Sequence, residues 1–112
     1  MSKYYFIGIK GTGMGPLAQI VHDQGHEVIG SDIEQYTYTQ APLEAAGIKI
    51  LHFSSKKVDA HQDATFVRGN AFGDEQAEVA RALALGVKLM SYLEAVQEQI
   101  SQSTLTAADG DN

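Results

Sequence analysis

Short apolar runs alternate with amphipathic stretches along this chain, and glycines stand at most of the junctions between them. Runs rich in β-branched, aromatic or aliphatic residues predict five strands, at Tyr4–Ile9, Glu27–Ser31, Ile48–Leu51, Ala64–Arg68 and Val87–Met90. Strands that alternate with helices are typical of a parallel sheet, so the pattern predicts an α/β fold.

Apolar residues at helical spacing predict four helices, whose starting points in chain order are Pro16, Thr39 or Gln40, Asp74 with Glu75, and Ser91. Gly25, Gly47 and Gly86 are predicted to end the first three of these helices. The polar stretch from residue 52 to residue 63 has too few apolar residues to predict a helix there.

The last two predicted helices carry further signals. Val79, Ala80 and Leu83 are spaced to form the stripe of the third helix that faces the core. Ser91, with Glu94 three residues later, matches a capping box and predicts the start of the fourth helix.

The predicted topology places one crevice at the edge of the sheet. Right-handed crossovers favour a five-stranded parallel sheet in the order 3-2-1-4-5, so the connections change direction between the first and fourth strands. Ligands of such sheets bind beyond the carboxyl ends of the strands at that switch point. We expect residues 1–100 to form this single domain and the polar residues 101–112 to form a tail or a linker.

Composition narrows the class of protein. The chain has 112 residues, no cysteine and a formal net charge of −6. The acidic balance argues against nucleic acid as a partner, and no apolar stretch is long enough for membrane insertion. The lack of cysteine and of a signal-peptide pattern favours the cytoplasm. An anionic ligand would therefore depend on local backbone groups.

Three segments next to the predicted crevice could contact a ligand. The turn Gly11-Thr12-Gly13 leads into a helix N-terminus, which is typical of a phosphate site, although the spacing does not complete a G-x-G-x-x-G fingerprint. Asp32 ends the second strand, where its carboxylate could bind ribose hydroxyls or stabilise its own turn. Asn70 follows the fourth strand, where its side chain could contact a ligand or where it could be an ordinary turn residue.

Three strings in the sequence resemble a known family. FIGIKGTGMGPLAQIVHDQGHEVIGSDIE, YTQAPLEAAGIKIL and VRGNAFGDEQAEVARALALGV are together similar to the N-terminal domain of the Mur ligases. The resemblance extends from about Tyr4 to Ile100 and is strongest to the branch that joins L-alanine to UDP-N-acetylmuramate in Gram-positive bacteria. The branch that recycles muropeptides shares much of the pattern and stays an alternative.

The resemblance implies a Rossmann-like, three-layer domain that binds the UDP part of UDP-N-acetylmuramate. It implies that the diphosphate is surrounded by Lys10, Gly11, Thr12, Gly13 and Met14. It places Ser31 and Asp32 at the uridine, and Gly69, Asn70 and Ala71 on the opposite wall. No catalytic residue, cofactor or metal is implied for this chain.

For the full-length enzyme, the resemblance implies central and C-terminal domains in cis that use ATP and Mg²⁺. They convert the lactyl carboxylate of the sugar to an acyl phosphate, which the amine of L-alanine attacks. The chain has no G-x-x-x-x-G-K-[ST] loop, so we expect no catalysis from it alone. An NAD-binding domain and a non-catalytic sensor module remain alternatives.

Overall fold

The computed structural model describes residues 2–110, which form five strands and five helices. The strands are β1 (Lys3–Ile7), β2 (Glu27–Asp32), β3 (Lys49–His52), β4 (Thr65–Arg68) and β5 (Leu89–Ser91). The helices are α1 (Met14–Asp23), α2 (Gln40–Ala45), α3 (Ser55–Ala60), α4 (Ala77–Leu85) and α5 (Tyr92–Gly110). The predicted alternation of strands and helices is confirmed.

The sheet is parallel throughout and has the order β3-β2-β1-β4-β5, as predicted. Alternate residues of the central strand β1 point to opposite faces, so that Phe6 and Tyr5 belong to two separate apolar clusters. Helices α1, α2 and α5 cover one face, and α3 and α4 cover the other. The result is the expected three-layer α/β architecture.

Both ends of α1 follow from its sequence. Pro16 lies in the first turn, where its missing N–H removes no intrahelical hydrogen bond. Beyond the last turn, Gly25 adopts a left-handed conformation with φ 94° and donates its N–H to the carbonyl of His22 at 3.0 Å. Helix α1 therefore begins and ends where Pro16 and Gly25 predict, and its N-terminus lies at the carboxyl edge of the sheet.

Helix α3 lies in the stretch for which no helix was predicted. Val58 is its one fully buried apolar residue, and it joins the cluster under α4. The bidentate ion pair of Arg81 with Asp59 ties α4 to α3, with N–O distances of 2.6 and 3.2 Å. A helix held by a single apolar residue and tertiary contacts leaves no periodic signal in the sequence.

Helix α4 faces the core with a different stripe from the predicted one. Leu83 is 51% exposed and Ala80 is also exposed, whereas Glu78, Val79 and Ala82 are buried. The prediction was right for Val79 and wrong for Ala80 and Leu83, because the inward face includes a carboxylate, which a search for apolar periodicity passes over. The predicted acidic start is also wrong, because the helix begins at Ala77 after Gln76, whose side chain caps it.

Helix α5 begins with the predicted capping box. The Ser91 amide donates to the Glu94 carboxylate at 2.8 Å, and the Glu94 amide donates to the Ser91 hydroxyl at 3.1 Å. The helix then continues to Gly110, so residues 101–110 of the predicted tail or linker are helical. No glycine or proline interrupts the sequence before Gly110, and helix propagation needs no apolar residue. Residues 111 and 112 of the predicted tail lie outside the described residues.

Residues 2–110 include no helix that is both long enough and apolar enough to cross a membrane.

Candidate functional site

A crevice of about 530 Å³ opens beyond the carboxyl ends of β1 and β4, at the predicted switch point. Nine of the ten predicted site residues line it: Lys10, Gly11, Thr12, Gly13, Met14, Asp32, Gly69, Asn70 and Ala71. Four further residues line it that were not predicted: Gly8, Thr37, Phe72 and Tyr92. Ser31 is the one predicted site residue that does not line the crevice.

The floor of the crevice is the turn between β1 and α1. Its first part is held from below, because the amides of Gly8 and Ile9 both donate to the carbonyl of Ser31, at 2.8 and 3.1 Å. The amides of Thr12 and Gly13, in contrast, donate to no other group among residues 2–110. These free donors stand at the N-terminus of α1, where the helix dipole favours an anion.

One side of the crevice, here named the near wall, is formed by Asp32 and the loop 33–39. The buried Lys10 ammonium donates to the carbonyls of Ile33 at 2.8 Å and Gln35 at 3.0 Å. The Thr39 hydroxyl donates to the Lys10 carbonyl at 2.5 Å. The Lys10 side chain therefore holds the near wall, and its charge is already engaged by protein carbonyls.

Asp32 stabilises its own turn, which was one of the two readings open from the sequence. One carboxylate oxygen accepts the amide of Lys10 at 2.8 Å, and the other accepts the amide of Ile33 at 2.7 Å. The residue is only 7% exposed, yet it borders the crevice. Because each carboxylate oxygen can accept more than one hydrogen bond, these contacts leave room for a ribose hydroxyl.

The opposite side, here named the far wall, consists of residues 69–74. The Arg68 guanidinium donates to the carbonyl of Phe72 at 2.8 Å and to the carboxylate of Asp74 at 2.6 Å. The Asn70 side chain is exposed towards the crevice and bonds to nothing else in the described part of the chain. The far wall thus presents a free amide side chain beside the free backbone donors of the floor.

Two aromatic side chains that spacing did not reveal shape the crevice. A methyl group on Gly8, whose φ is 85°, would overlap the Phe72 ring of the far wall. A methyl group on Gly13 would lie 2.7 Å from the Tyr92 hydroxyl. Tyr92 directly follows β5, and its position after a strand end could have identified it as a residue of the crevice. Nothing in the sequence pattern identified Phe72.

Ser31 lies on the other face of the sheet from the glycine turn. Its side chain is fully buried and donates to the Glu78 carboxylate of α4. This placement argues against a direct contact between the Ser31 side chain and a ligand in the crevice. Contact with a uridine therefore stays a prediction for Ser31, and its backbone carbonyl is the group nearest to the floor.

Among the described residues, the crevice has neither a metal-binding cluster nor a cation that is free to pair with a ligand. Residues 2–110 contain no cluster of three or more His, Asp or Glu side chains arranged to hold a metal ion. Lys10 and Arg68 are both engaged in holding loops. The crevice can therefore hold an anionic group through backbone donors and a polar group through Asp32 or Asn70, with no acid–base or nucleophilic pair.

Comparison with known proteins identifies a matching family. Residues 3–104 match the family described as "Mur ligase family, catalytic domain". The UDP-N-acetylmuramate–L-alanine ligase of Leuconostoc mesenteroides is 74% identical over 108 residues, which cover 96% of this chain and 24% of the relative. The corresponding ligase of Limosilactobacillus reuteri is 54% identical over 103 residues, which cover 92% of this chain and 23% of the relative.

Solved structures agree with this assignment. The UDP-N-acetylmuramate-alanine ligase of Thermotoga maritima superposes with a TM-score of 0.77 at 28% identity, over 91% of this chain and 23% of that chain. A murein peptide ligase of Psychrobacter arcticus superposes with a TM-score of 0.82 at 30% identity, over 92% of this chain and 22% of that chain. The chain thus spans about a quarter of the length of the relatives that it matches.

Proposed function

The chain belongs to the Mur ligase family, as its N-terminal domain, and from this membership we propose that its crevice binds the UDP part of UDP-N-acetylmuramate. The observation that carries the proposal is the pair of free amides at Thr12 and Gly13, at the N-terminus of α1. A diphosphate suits these donors because the helix dipole and the backbone N–H groups both favour negative charge. Asp32 and Asn70 flank this position from opposite walls and supply polar contacts for the rest of the nucleotide sugar.

We further propose that the whole protein joins L-alanine to UDP-N-acetylmuramate in peptidoglycan biosynthesis. Its support is the 74% identity to a relative named for that reaction. The muropeptide-recycling alternative rests on the murein peptide ligase structure, whose TM-score of 0.82 is higher than the 0.77 of the alanine ligase. The two reactions differ in the incoming amine, so parts of the protein outside the nucleotide crevice would distinguish them.

ATP and Mg²⁺ do not fit the residues of this chain. The sequence has no phosphate-transfer loop of the G-x-x-x-x-G-K-[ST] type, and the described residues hold no carboxylate cluster for a metal. We assign both to further domains in cis, in the remaining three quarters or so of the relatives' length. The role of this chain is then to bind and orient the nucleotide sugar. Its location in the cytoplasm stays a prediction from composition.

Calorimetry of the 112-residue chain with UDP, UDP-N-acetylmuramate and NAD tests the nucleotide assignment. We expect UDP and UDP-N-acetylmuramate to bind more tightly than NAD. In one register of the dinucleotide fingerprint Lys10 occupies the place of the middle glycine, and in the other Pro16 occupies the place of the third. The Lys10 side chain, moreover, holds the near wall. Tighter binding of NAD would overturn the proposal in favour of a dinucleotide-binding domain, and binding of none of the three would favour the sensor alternative.

A further inference from the structure

A fully buried carboxylate lies under the crevice, outside the set of residues that line it. Glu78 of α4 is 0% exposed and accepts hydrogen bonds from the hydroxyls of Tyr5 and Ser31 and from the amide of Ser54. The Tyr5 bond measures 2.9 Å and the Ser54 bond 2.8 Å. Burial is the main cause that raises the pKa of the Tyr5 hydroxyl, which keeps it protonated as a donor.

These bonds join four separate parts of the chain at one side chain. Tyr5 lies in the central strand, Ser31 at the end of β2, and Ser54 in the connection between β3 and α3. Glu78 itself lies in the first turn of α4, directly after the chain leaves the far wall. A buried carboxyl group is costly unless donors surround it, so each of the three partners contributes to the stability of this arrangement.

One of the three bonds leads to the floor of the crevice. The Ser31 residue that donates to Glu78 also accepts, through its carbonyl, the amides of Gly8 and Ile9. Those two residues begin the turn that presents the free amides of Thr12 and Gly13. The Tyr5 hydroxyl lies beside both groups, because it donates to Glu78 and is within hydrogen-bond reach of Ser31, and the Tyr5 ring stacks on Phe66.

We propose that Glu78 is a positioning residue for the crevice, which holds Ser31 so that the Ser31 carbonyl sets the start of the glycine turn. The inference rests on the proposed function, because the affected property is the placement of donors for a diphosphate. Glu78 touches no ligand and acts only through Ser31.

A pair of substitutions separates this role from a merely structural one. Replacing Glu78 itself would leave three buried donors without a partner and endanger the fold, so its hydrogen-bond partners are the better targets. Ser31→Ala removes the bond between Ser31 and Glu78, and Tyr5→Phe removes a bond to the same carboxylate while leaving the Ser31–Glu78 bond in place. Thermal unfolding, UDP affinity by calorimetry and amide hydrogen exchange by NMR are measured for the parent and both variants.

We expect both variants to unfold at a lower temperature than the parent. Ser31→Ala should also weaken UDP binding by about three- to tenfold, as expected for donors that lose their alignment by the equivalent of one hydrogen bond. In that variant the amides of Gly8 and Ile9 should exchange faster. Tyr5→Phe should leave both the affinity and those two amides unchanged.

Equal UDP affinities and equal exchange at Gly8 and Ile9 in the two variants would overturn the proposal and leave Glu78 a purely structural group. The exchange measurement does not depend on a ligand. If the parent does not bind UDP, the proposed function is contradicted. Faster exchange at Gly8 and Ile9 in Ser31→Ala, but not in Tyr5→Phe, would still support the positioning role.

Discussion

The two walls of the crevice are held in different ways. The near wall is held by groups distant in sequence, since Lys10 contacts residues 23 and 25 positions away and Thr39 contacts a residue 29 positions away. The far wall is held by Arg68, whose partners Phe72 and Asp74 are four and six positions away. The side-chain polar contacts of the near wall are therefore tertiary, whereas those of the far wall are local. The far wall reaches distant segments instead through the Gly69 amide, which donates to Ile7, and through the Phe72 ring, which packs on Phe53.

This difference also appears in burial. Lys10 is 7% exposed, whereas the Arg68 side chain is 22% exposed and its charged partner Asp74 is 76% exposed. A hydrogen bond in a buried position is costly to remove, because the partner left behind is cut off from water. An exposed ion pair contributes little, since water and salt screen it. Damage to the near wall should therefore affect stability and binding together, and damage to the far wall mainly binding.

The largest effect is expected from a methyl group placed where the floor meets the far wall. Gly8→Ala forces a left-handed conformation on a residue with a Cβ and overlaps the Phe72 ring. These two costs together should lower the free energy of unfolding by about 2 to 4 kcal/mol. Chemical denaturation of the variant and the parent measures the change.

Gly69→Ala is the matched control within the far wall. A methyl group there would lie 3.4 Å from the carbonyl oxygen of Ile7 and 3.7 Å from the Phe72 ring, with no left-handed φ. We expect a change of less than about 1 kcal/mol, as for a substitution without strain. Equal losses in the two glycine variants would mean that the Gly8 conformation carries no special cost. In a Gly8→Ala/Phe72→Leu double variant, part of the loss should be recovered, because only the overlap is relieved.

The second comparison exchanges the cation that holds each wall for an apolar side chain of similar length. Lys10→Met leaves the carbonyls of Ile33 and Gln35 without their buried donor, and we expect a loss of about 1 to 3 kcal/mol in unfolding free energy. Arg68→Met removes one carbonyl contact and an exposed ion pair, and a loss of no more than about 1 kcal/mol is expected.

Both variants are also titrated with UDP. Lys10→Met should weaken binding, because the loop 33–39 is no longer held against the crevice. Raising the salt concentration should reduce the stability difference for Arg68→Met but not for Lys10→Met, since salt screens exposed pairs far more than buried contacts. If Arg68→Met proves the more destabilising of the two, the contrast between a tertiary and a local wall is wrong.

The same contrast explains what could be predicted from the sequence. Alternating strands and helices, with right-handed crossovers, were enough to place the crevice between β1 and β4, because parallel strands end at one edge. Residues next to strand ends, such as Asp32 and Asn70, were found by this route. The approach works because a crevice of this type is a consequence of topology.

Contacts between distant segments could not be predicted in this way. The strand β2 was predicted, but the hydrogen-bond partner of the Ser31 side chain was not, because this partner is a carboxylate 47 positions later. A search for apolar periodicity treats Glu78 as a surface residue, and so it also missed the true inward face of α4. The resemblance implies that Lys10 lies at the diphosphate, but no local pattern predicts that its ammonium donates to carbonyls 23 and 25 positions away.

The smallest effect is expected from Asn70→Ala in the far wall, and it concerns binding alone. The Asn70 side chain is exposed and has no hydrogen-bond partner among residues 2–110, so its removal should leave the unfolding free energy unchanged within about 0.5 kcal/mol. UDP-N-acetylmuramate affinity should fall by about three- to tenfold, the usual consequence of losing one hydrogen bond to an uncharged group.

Asn70→Asp is the matched variant, because it keeps the shape of the side chain and adds a negative charge next to the proposed diphosphate position. Calorimetry should show weaker binding for Asn70→Asp than for Asn70→Ala, and the difference should shrink as salt screens the repulsion. Unchanged affinity in both variants would show that the far wall does not contact the nucleotide sugar. The ligand would then be bound by the floor and the near wall alone.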